Sequence, residues 1–286
     1  MAEALVSKRN YALVTAAYWA FTLTDGALRM LVLLHFHELG YSPFALALLF
    51  ILYEVMGVFT NLTGGMLGAR IGLKATLVSG LFLQVGALGM LSALSGEWGA
   101  SVQVVWVVLA QGVSGVAKDL TKLSAKSSVK LVLPADAEAG LFRWVALLTG
   151  SKNTLKGVGF FLGGALLQTL GFEPALWAMA LVLAPVGLVA WLGLPAALGK
   201  AKTKPKWKQL LAKNAAINWL SASRVFLFGA RDVWFVVALP VFLSESLGWE
   251  FGEVGAYMAG WVIVYGVVQA SAPRWLRSAD ASASHQ

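Results

Sequence analysis

Eight apolar runs of about 20 residues or more set the limits on what this 286-residue chain can become. They lie at approximately 11–36, 43–68, 75–94, 102–124, 142–169, 172–194, 215–243 and 251–273. Runs of that length cross about 30 Å of hydrocarbon as helix. Lipid offers no partner to backbone N–H and C=O groups, so each run must satisfy its own backbone. Barrel strands would be short and alternating, whereas these runs are continuous. The expected fold is therefore an all-α polytopic membrane protein with about eight transmembrane helices. The apolar share of 58% agrees, being too high for a water-soluble domain.

Six basic residues interrupt these runs: Arg29, Lys118, Lys152, Lys156, Arg224 and Arg231. Each costs roughly 2.5–3.5 kcal/mol at the centre of an isolated inserted helix. The acids in comparable positions, Asp25, Glu54, Asp119 and Asp232, are fewer. A surplus of cations held inside a bilayer points to a polar cavity that receives an anion. The residues thus favour a transporter of negatively charged molecules.

The connections divide by sign. Lys8, Arg9, Arg70, Lys74, Lys122, Lys126, Lys130, Arg143, Arg274 and Arg277 fall on one side, with six lysines between the sixth and seventh runs. Glu38, Glu97, Glu173, Glu245, Glu250 and Glu253 fall on the other, without Lys or Arg. The positive-inside rule then places both termini in the cytoplasm, for a multi-pass protein of the inner membrane. The net charge of +8 is spread over membrane connections and a cavity, so a nucleic-acid surface is a poor reading.

Other function classes find little support. The first run is too long for a signal-peptide core and lacks an evident cleavage site. Cysteine is absent, which removes disulfides and thiolate sites. His35 and His37 have no accompanying ligand cluster, so neither metal nor cofactor is expected, and an interfacial anchor is the plainer reading. No nucleophile–base constellation argues for an enzyme.

A basic stretch separates six runs from two. The expected domains are a six-helix bundle (1–195), a linker (196–214), two helices of a second bundle (215–273) and a polar disordered tail (274–286). Within the linker, Trp207, Leu210 and Leu211 could edge a short surface helix; a solvated loop is the alternative. The seventh and eighth runs weakly echo the first two: Leu39-Gly40-Tyr41 is mirrored by Leu247-Gly248-Trp249, and Asp25/Arg29 by Arg231/Asp232. A duplicated six-helix unit gives such an echo, and it would need about four more spans. The chain reads as shortened relative to that architecture.

Several residues can be assigned roles. Asp25 and Arg29 are four apart on one helix and can pair. Lys152 and Lys156 share that spacing but repel, which favours an opposing anion or a wet cavity. Arg231 is a candidate substrate contact, and Asp232 could orient a neighbour. Lys118, Lys122, Lys126 and Lys130 continue down one helix side; Lys118 and Lys122 also fit as snorkelling residues, as does Arg224. Glu54 is either a proton-binding group or the partner of one of these cations. Gly112 with Gly115, and Gly159 with Gly163 and Gly164, permit close helix approach.

Residues 65–74, GMLGARIGLK, resemble the major facilitator superfamily signature between helices two and three, with Gly65, Arg70, Gly72 and Lys74 in place. Ala69 stands where that signature has an acid and Leu73 where it has a base. Gln111-Gly112 resembles a second superfamily motif, with Val108 at its usual arginine. Longer segments look like the ArsJ family of organoarsenical efflux permeases: FTLTDGALRMLVLLHFH (21–37), GVAKDL (115–120), TGSKNTLKGVGFFLGG (149–164) and FGARDVWFVVALP (228–240). That resemblance implies a major-facilitator-like bundle that exports 1-arseno-3-phosphoglycerate and confers arsenate resistance. It implies functional pairing with a glyceraldehyde-3-phosphate dehydrogenase that makes the ester, and twelve helices where this chain has eight.

A phosphate and an arsenate on one molecule suit several cations: Arg for bidentate contacts, Lys for point charge. The expected substrate contacts are Arg29, Lys118, Lys152, Lys156 and Arg231; the expected coupling or ion-pair residues are Asp25, Glu54, Asp119 and Asp232. The lipid bilayer is the other expected partner, with a homo-oligomer as one way to complete the bundle. Two alternatives stand beside this reading: a major facilitator for another organic anion or sugar phosphate, and a truncated non-transporting remnant.

Overall fold

A computed structural model describes residues 2–129, 138–200 and 215–283, all regular elements among them being helical. They are α1 (Ala2–Glu38), α2 (Pro43–Leu49), α3 (Ile51–Ile71), α4 (Leu73–Ser92), α5 (Ala100–Ser128), α6 (Glu138–Leu170), α7 (Phe172–Gly193), α8 (Ala215–Asp232), α9 (Leu239–Leu247) and α10 (Phe251–Ala283). A π-helical turn, Val233–Ala238, joins α8 to α9.

Every expected span is helical, and two are composite. The second is α2 plus α3, divided at Phe50; Pro43 and the Ser42 cap, whose hydroxyl accepts from Ala45 N–H at 3.3 Å, start it. The seventh is α8, the π turn and α9, with Pro240 in the first turn of α9, where its missing N–H matters least. Among the described residues, six stretches are long and apolar enough to cross a membrane. The two remaining long helices, α1 and α6, carry Asp25 with Arg29 and Lys152 with Lys156 in mid-length.

The C-terminal end departs from expectation. α10 continues to Ala283, where a disordered tail from residue 274 was expected. Beyond Pro273 the segment holds Ala, Arg, Leu and Trp with no glycine or proline, so nothing in it stops a helix already begun. Lys130 and the linker residues Trp207, Leu210 and Leu211 lie outside the described residues.

Two apolar cores stack along the bundle. One contains Leu31, Phe36, Leu46, Leu49, Leu88, Val107, Phe160, Leu176, Val237, Val241 and Met258, so every span contributes to it. It lies toward the end that carries Glu38, Glu173, Glu245 and Glu250, called the acidic end below. The other contains Val14, Phe21, Leu77, Leu81, Ala117, Leu148, Leu183 and Leu194, drawn from α1 and α4–α7. It lies toward the basic end, where Arg9, Lys74 and Lys126 sit.

Close backbone approach fixes α6 between α1 and α10. A Cβ at Gly163 would stand 2.3 Å from the Ala27 carbonyl of α1, and one at Gly164 2.6 Å from the Phe251 carbonyl of α10. Farther along, Gly150 meets the Gly266 carbonyl at 2.6 Å by the same measure. Lateral association in lipid relies on such packing, because burial from water contributes nothing there.

Candidate functional site

Between the two cores runs a polar layer. On α1, Phe21 belongs to one core and Ala27 to the other; Thr22, Thr24 and Asp25 lie between them. On α4, Gln84 lies between Leu81 and Leu88, and its amide oxygen accepts from Ser114 of α5 at 2.7 Å. On α6, Lys152 and Lys156 lie between Leu148 and Phe160. Asp25, Gln84, Lys152 and Lys156 therefore lie between the two apolar cores.

Tyr53 of α3 is the hub. Its hydroxyl donates to Asp25 Oδ1 at 2.6 Å, and both side chains are buried. Its ring receives the Arg29 guanidinium at 4.1 Å and the Lys118 ammonium at 3.9 Å from the centroid, within cation–π range. Glu54, next in the chain, pairs with Arg29 through Oε1 and approaches Lys118 Nζ with Oε2 at 3.7 Å. Gly115 of α5 brings these groups together: a Cβ there would lie 2.4 Å from the Tyr53 carbonyl oxygen. Gly57 does the same one turn on, where a Cβ would meet Asp119 Oδ2 at 3.0 Å and Lys118 Nζ at 3.4 Å.

This arrangement revises one expectation. Asp25 and Arg29, four residues apart, do not pair with each other; Asp25 takes the Tyr53 hydroxyl and Arg29 takes Glu54. Partners across the α1–α3 interface fit better than the neighbour one turn away. Glu54 is thus a cation partner, the second of its two readings.

The remaining site residues divide between the layer and its mouth. Asp119 is fully buried and accepts from Lys122 Nζ at 2.8 Å, one turn along α5. Lys152 and Lys156 are half-buried, and the Lys156 ammonium lies 5.6 Å from the Phe160 ring centroid. Lys152 is within Coulombic reach of Lys156, Lys122, Lys118 and Asp25, which places α6 in the same cluster as α1 and α5. Among the described residues no carboxylate comes within ion-pair distance of Lys152.

Access follows from how the seventh span packs. Val236, Val237, Val241 and Leu243, in its π turn and α9, are buried in the acidic-end core. Its other half, α8, is exposed along nearly all its described length, including Ile217, Trp219, Phe226, Arg224 and Arg231. The seventh span is therefore packed in its acidic-end half and exposed in its basic-end half, where Lys126 and Arg224 stand within Coulombic reach of each other. Arg231 is exposed on α8, and Asp232 ends that helix.

The loop signature has a structural role at the basic end. Gly72, at φ +98°, turns the chain between α3 and α4 in a conformation that L side chains rarely adopt. Leu73 N–H then donates to the Leu198 carbonyl at 2.8 Å, and Lys74 Nζ to the Leu194 carbonyl at 2.7 Å. Arg9 Nη2 reaches the Gly193 carbonyl at 3.3 Å, so two cations meet the carboxyl end of α7. Gly65 has open space around its Cα, and Arg70 is half-buried at the end of α3.

Sequence reasoning passed over Tyr53, Gln84, Ser114 and the π turn. The adjacency of Tyr53 to Glu54 inside an apolar run was the available signal for the hub.

Residues 14–280 match the sequence profile described as Major Facilitator Superfamily. Among solved structures, the crystal structure of a D-xylose–proton symporter is similar, with a TM-score of 0.50 and 14% identity. The match covers 94% of this chain and 66% of the symporter, so the chain spans just under two thirds of its length. Likeness at that identity concerns the fold. A comparison with curated proteins gave no match.

Proposed function

The chain belongs to the major facilitator superfamily, and from that premise we propose that it is an efflux transporter for an anionic organoarsenical, 1-arseno-3-phosphoglycerate. Support comes above all from the basic residues: Lys152 lies within Coulombic reach of Lys156, Lys122 and Lys118, and Lys118 shares the Tyr53 ring with Arg29. A hard dianion or trianion with two oxyanion heads suits several such cations; Arg holds oxygens in pairs and Lys attracts as a point charge. The segments that look like organoarsenical permeases, residues 21–37, 115–120, 149–164 and 228–240, include α1, α5 and α6 residues of this layer.

In this reading the basic end faces the cytoplasm, following the positive-inside rule. Substrate would then enter from the cytoplasm on the side of Lys126 and Arg224. Closure of α8 over the layer and opening at the acidic end would release it outside, where the ester's loss of arsenate makes export irreversible. A glyceraldehyde-3-phosphate dehydrogenase is the partner that supplies the ester.

Arsenate resistance tests this reading. A sensitive cell expressing the chain together with the dehydrogenase is expected to grow at arsenate concentrations that stop the parent, and to lose the advantage without the dehydrogenase. No gain despite verified membrane insertion removes the organoarsenical as substrate of this chain. Protection independent of the dehydrogenase points to a different anion.

A further inference from the structure

Two glutamines sit between the apolar cores with hydrogen-bonding capacity to spare. On α5, Gln111 and Ser114 lie between Ala110 of the acidic-end core and Ala117 of the basic-end core; on α4, Gln84 lies between Leu88 and Leu81 in the same way. All three polar side chains are fully buried, at 0% exposure. Ser114 donates to Gln84 Oε1 at 2.7 Å and so ties α5 to α4. Gln84 Nε2 and both ends of the Gln111 amide, Nε2 and Oε1, have no hydrogen-bond partner among the described residues. An amide closed off from solvent without a partner is strongly unfavourable, and lipid supplies none. A partner of complementary chemistry therefore belongs there.

The side of α5 that carries Gln111 also carries cations. Lys118 and Lys122 follow it by seven and eleven residues, which returns each to within about 20° of Gln111 around the helix. Gly112 and Gly115 turn toward α3, where a Cβ would meet Leu52 and Tyr53, while a Cβ at Gly80 of α4 would meet Ala117 and Thr121. Gln111 falls between those two contact lines. The axial distance from Gln111 to Lys118 is about 10 Å. Helical side chains lean toward the N-terminus, so the Lys118 ammonium reaches back toward Gln111.

We propose that Gln111, Gln84 and Ser114 form a subsite for one uncharged hydroxyl group, beside the cations and separate from them. An oxyanion only accepts, so it would use the N–H groups and meet the lone pairs of Gln111 Oε1. A hydroxyl donates to Oε1 while accepting from Nε2, which matches both ends of a carboxamide. The hydroxyl has two sources: an enclosed water bridging α4 and α5, or an alcohol on the cargo. The cargo source rests on the anion-carrier reading above and narrows its substrate class. The anionic heads then meet cations such as Lys118 and Lys152, and a hydroxylated carbon meets Gln111. Such a site rejects an analogue that lacks the hydroxyl, because its own polar groups are left unpaired. The water source holds whatever the carrier moves.

Stability tests whether the hydroxyl is held, and ligand choice tests its source. Gln111→Met and Gln111→Leu, two apolar replacements of different shape, are unfolded in mixed micelles beside the wild type. Loss of a paired amide should lower the folded-to-unfolded ratio about tenfold in both, since it ends about two hydrogen bonds to a neutral partner. Either variant reads alone if the other does not fold. A ratio equal to or above wild type in either shows an amide with nothing to lose, and overturns the subsite. Calorimetry on the full chain in lipid nanodiscs then compares glycerol 3-phosphate with n-propyl phosphate, which has the same charge and no hydroxyl; sulfate is the reference for charge alone. Binding of glycerol 3-phosphate tighter by about tenfold or more, with the margin lost in Gln111→Met and propyl phosphate unchanged, assigns the cargo hydroxyl. Equal binding of the two esters, with both variants destabilised, assigns the water. A margin that survives in the folded variants overturns Gln111 as the reader of cargo. If wild type binds neither ester nor sulfate, the anion carrier is overturned, while the unfolding ratios still decide the subsite.

Discussion

Tyr53→Phe isolates one hydroxyl at the centre of the polar layer. The ring stays, so its contacts with Arg29 and Lys118 at 4.1 and 3.9 Å persist, while the 2.6 Å hydrogen bond to Asp25 Oδ1 is lost. Asp25 is 4% exposed, so water cannot readily replace the donor. A hydrogen bond to a charged group contributes about 1.5–3 kcal/mol in soluble proteins. Interhelical bonds measured within membranes average about 0.6 kcal/mol and reach about 1.7, because the unfolded reference finds other partners. The charge and burial of Asp25 place this bond toward the upper part, giving an expected loss of about 1–2 kcal/mol. Equilibrium unfolding in mixed micelles, with Tyr53→Phe, Asp25→Asn and the double variant, provides the cycle that separates the pair from its surroundings. The two single losses should overlap, so the double variant loses less than their sum. A Tyr53→Phe loss below about 0.5 kcal/mol, or strictly additive singles, would refute the hub as an energetic unit.

Three further expectations follow from particular contacts. Gly115→Ala places a Cβ 2.4 Å from the Tyr53 carbonyl; it should cost about 1–3 kcal/mol by overpacking and lower sulfate binding, both measured on purified protein. Lys152→Ala should abolish arsenate resistance while leaving insertion intact, as reported by tag accessibility; retained resistance would remove Lys152 from the site. Lys74→Ala removes the 2.7 Å contact with the Leu194 carbonyl. It should loosen the end of α7 by about 0.3–1 kcal/mol, visible as faster amide exchange around residues 190–198 with little change at the acidic end.

The spans were legible because lipid leaves one backbone solution for a long apolar run, and length alone reveals it. Their interruptions were not. Phe50 divides α2 from α3 with no glycine or proline beside it, and the π turn at Val233–Ala238 consists wholly of apolar residues. One extra residue in a helical turn leaves no trace in composition. The charged residues were legible as a set, since each violates the apolar background. Their pairing was not, because spacing along α1 shows which side chains can meet on that helix and says nothing of a better partner on α3. Tyr53 was hidden for a related reason: within an apolar run, an aromatic ring reads as filler until its neighbours across the interface are known.

The glycine contacts between α6 and α10 run antiparallel along much of both helices, from Gly150 against Gly266 to Gly164 against Phe251. With backbone touching backbone at each extreme, the two helices can roll about their shared line, but they cannot separate without losing their packing. That line is a spindle. Displacement in a motion about that line would be least beside it and grow with distance from it. Bulk added at Gly150, Gly157 or Gly164 should therefore disturb the whole seam, the first two of these positions lying within two residues of Lys152 or Lys156.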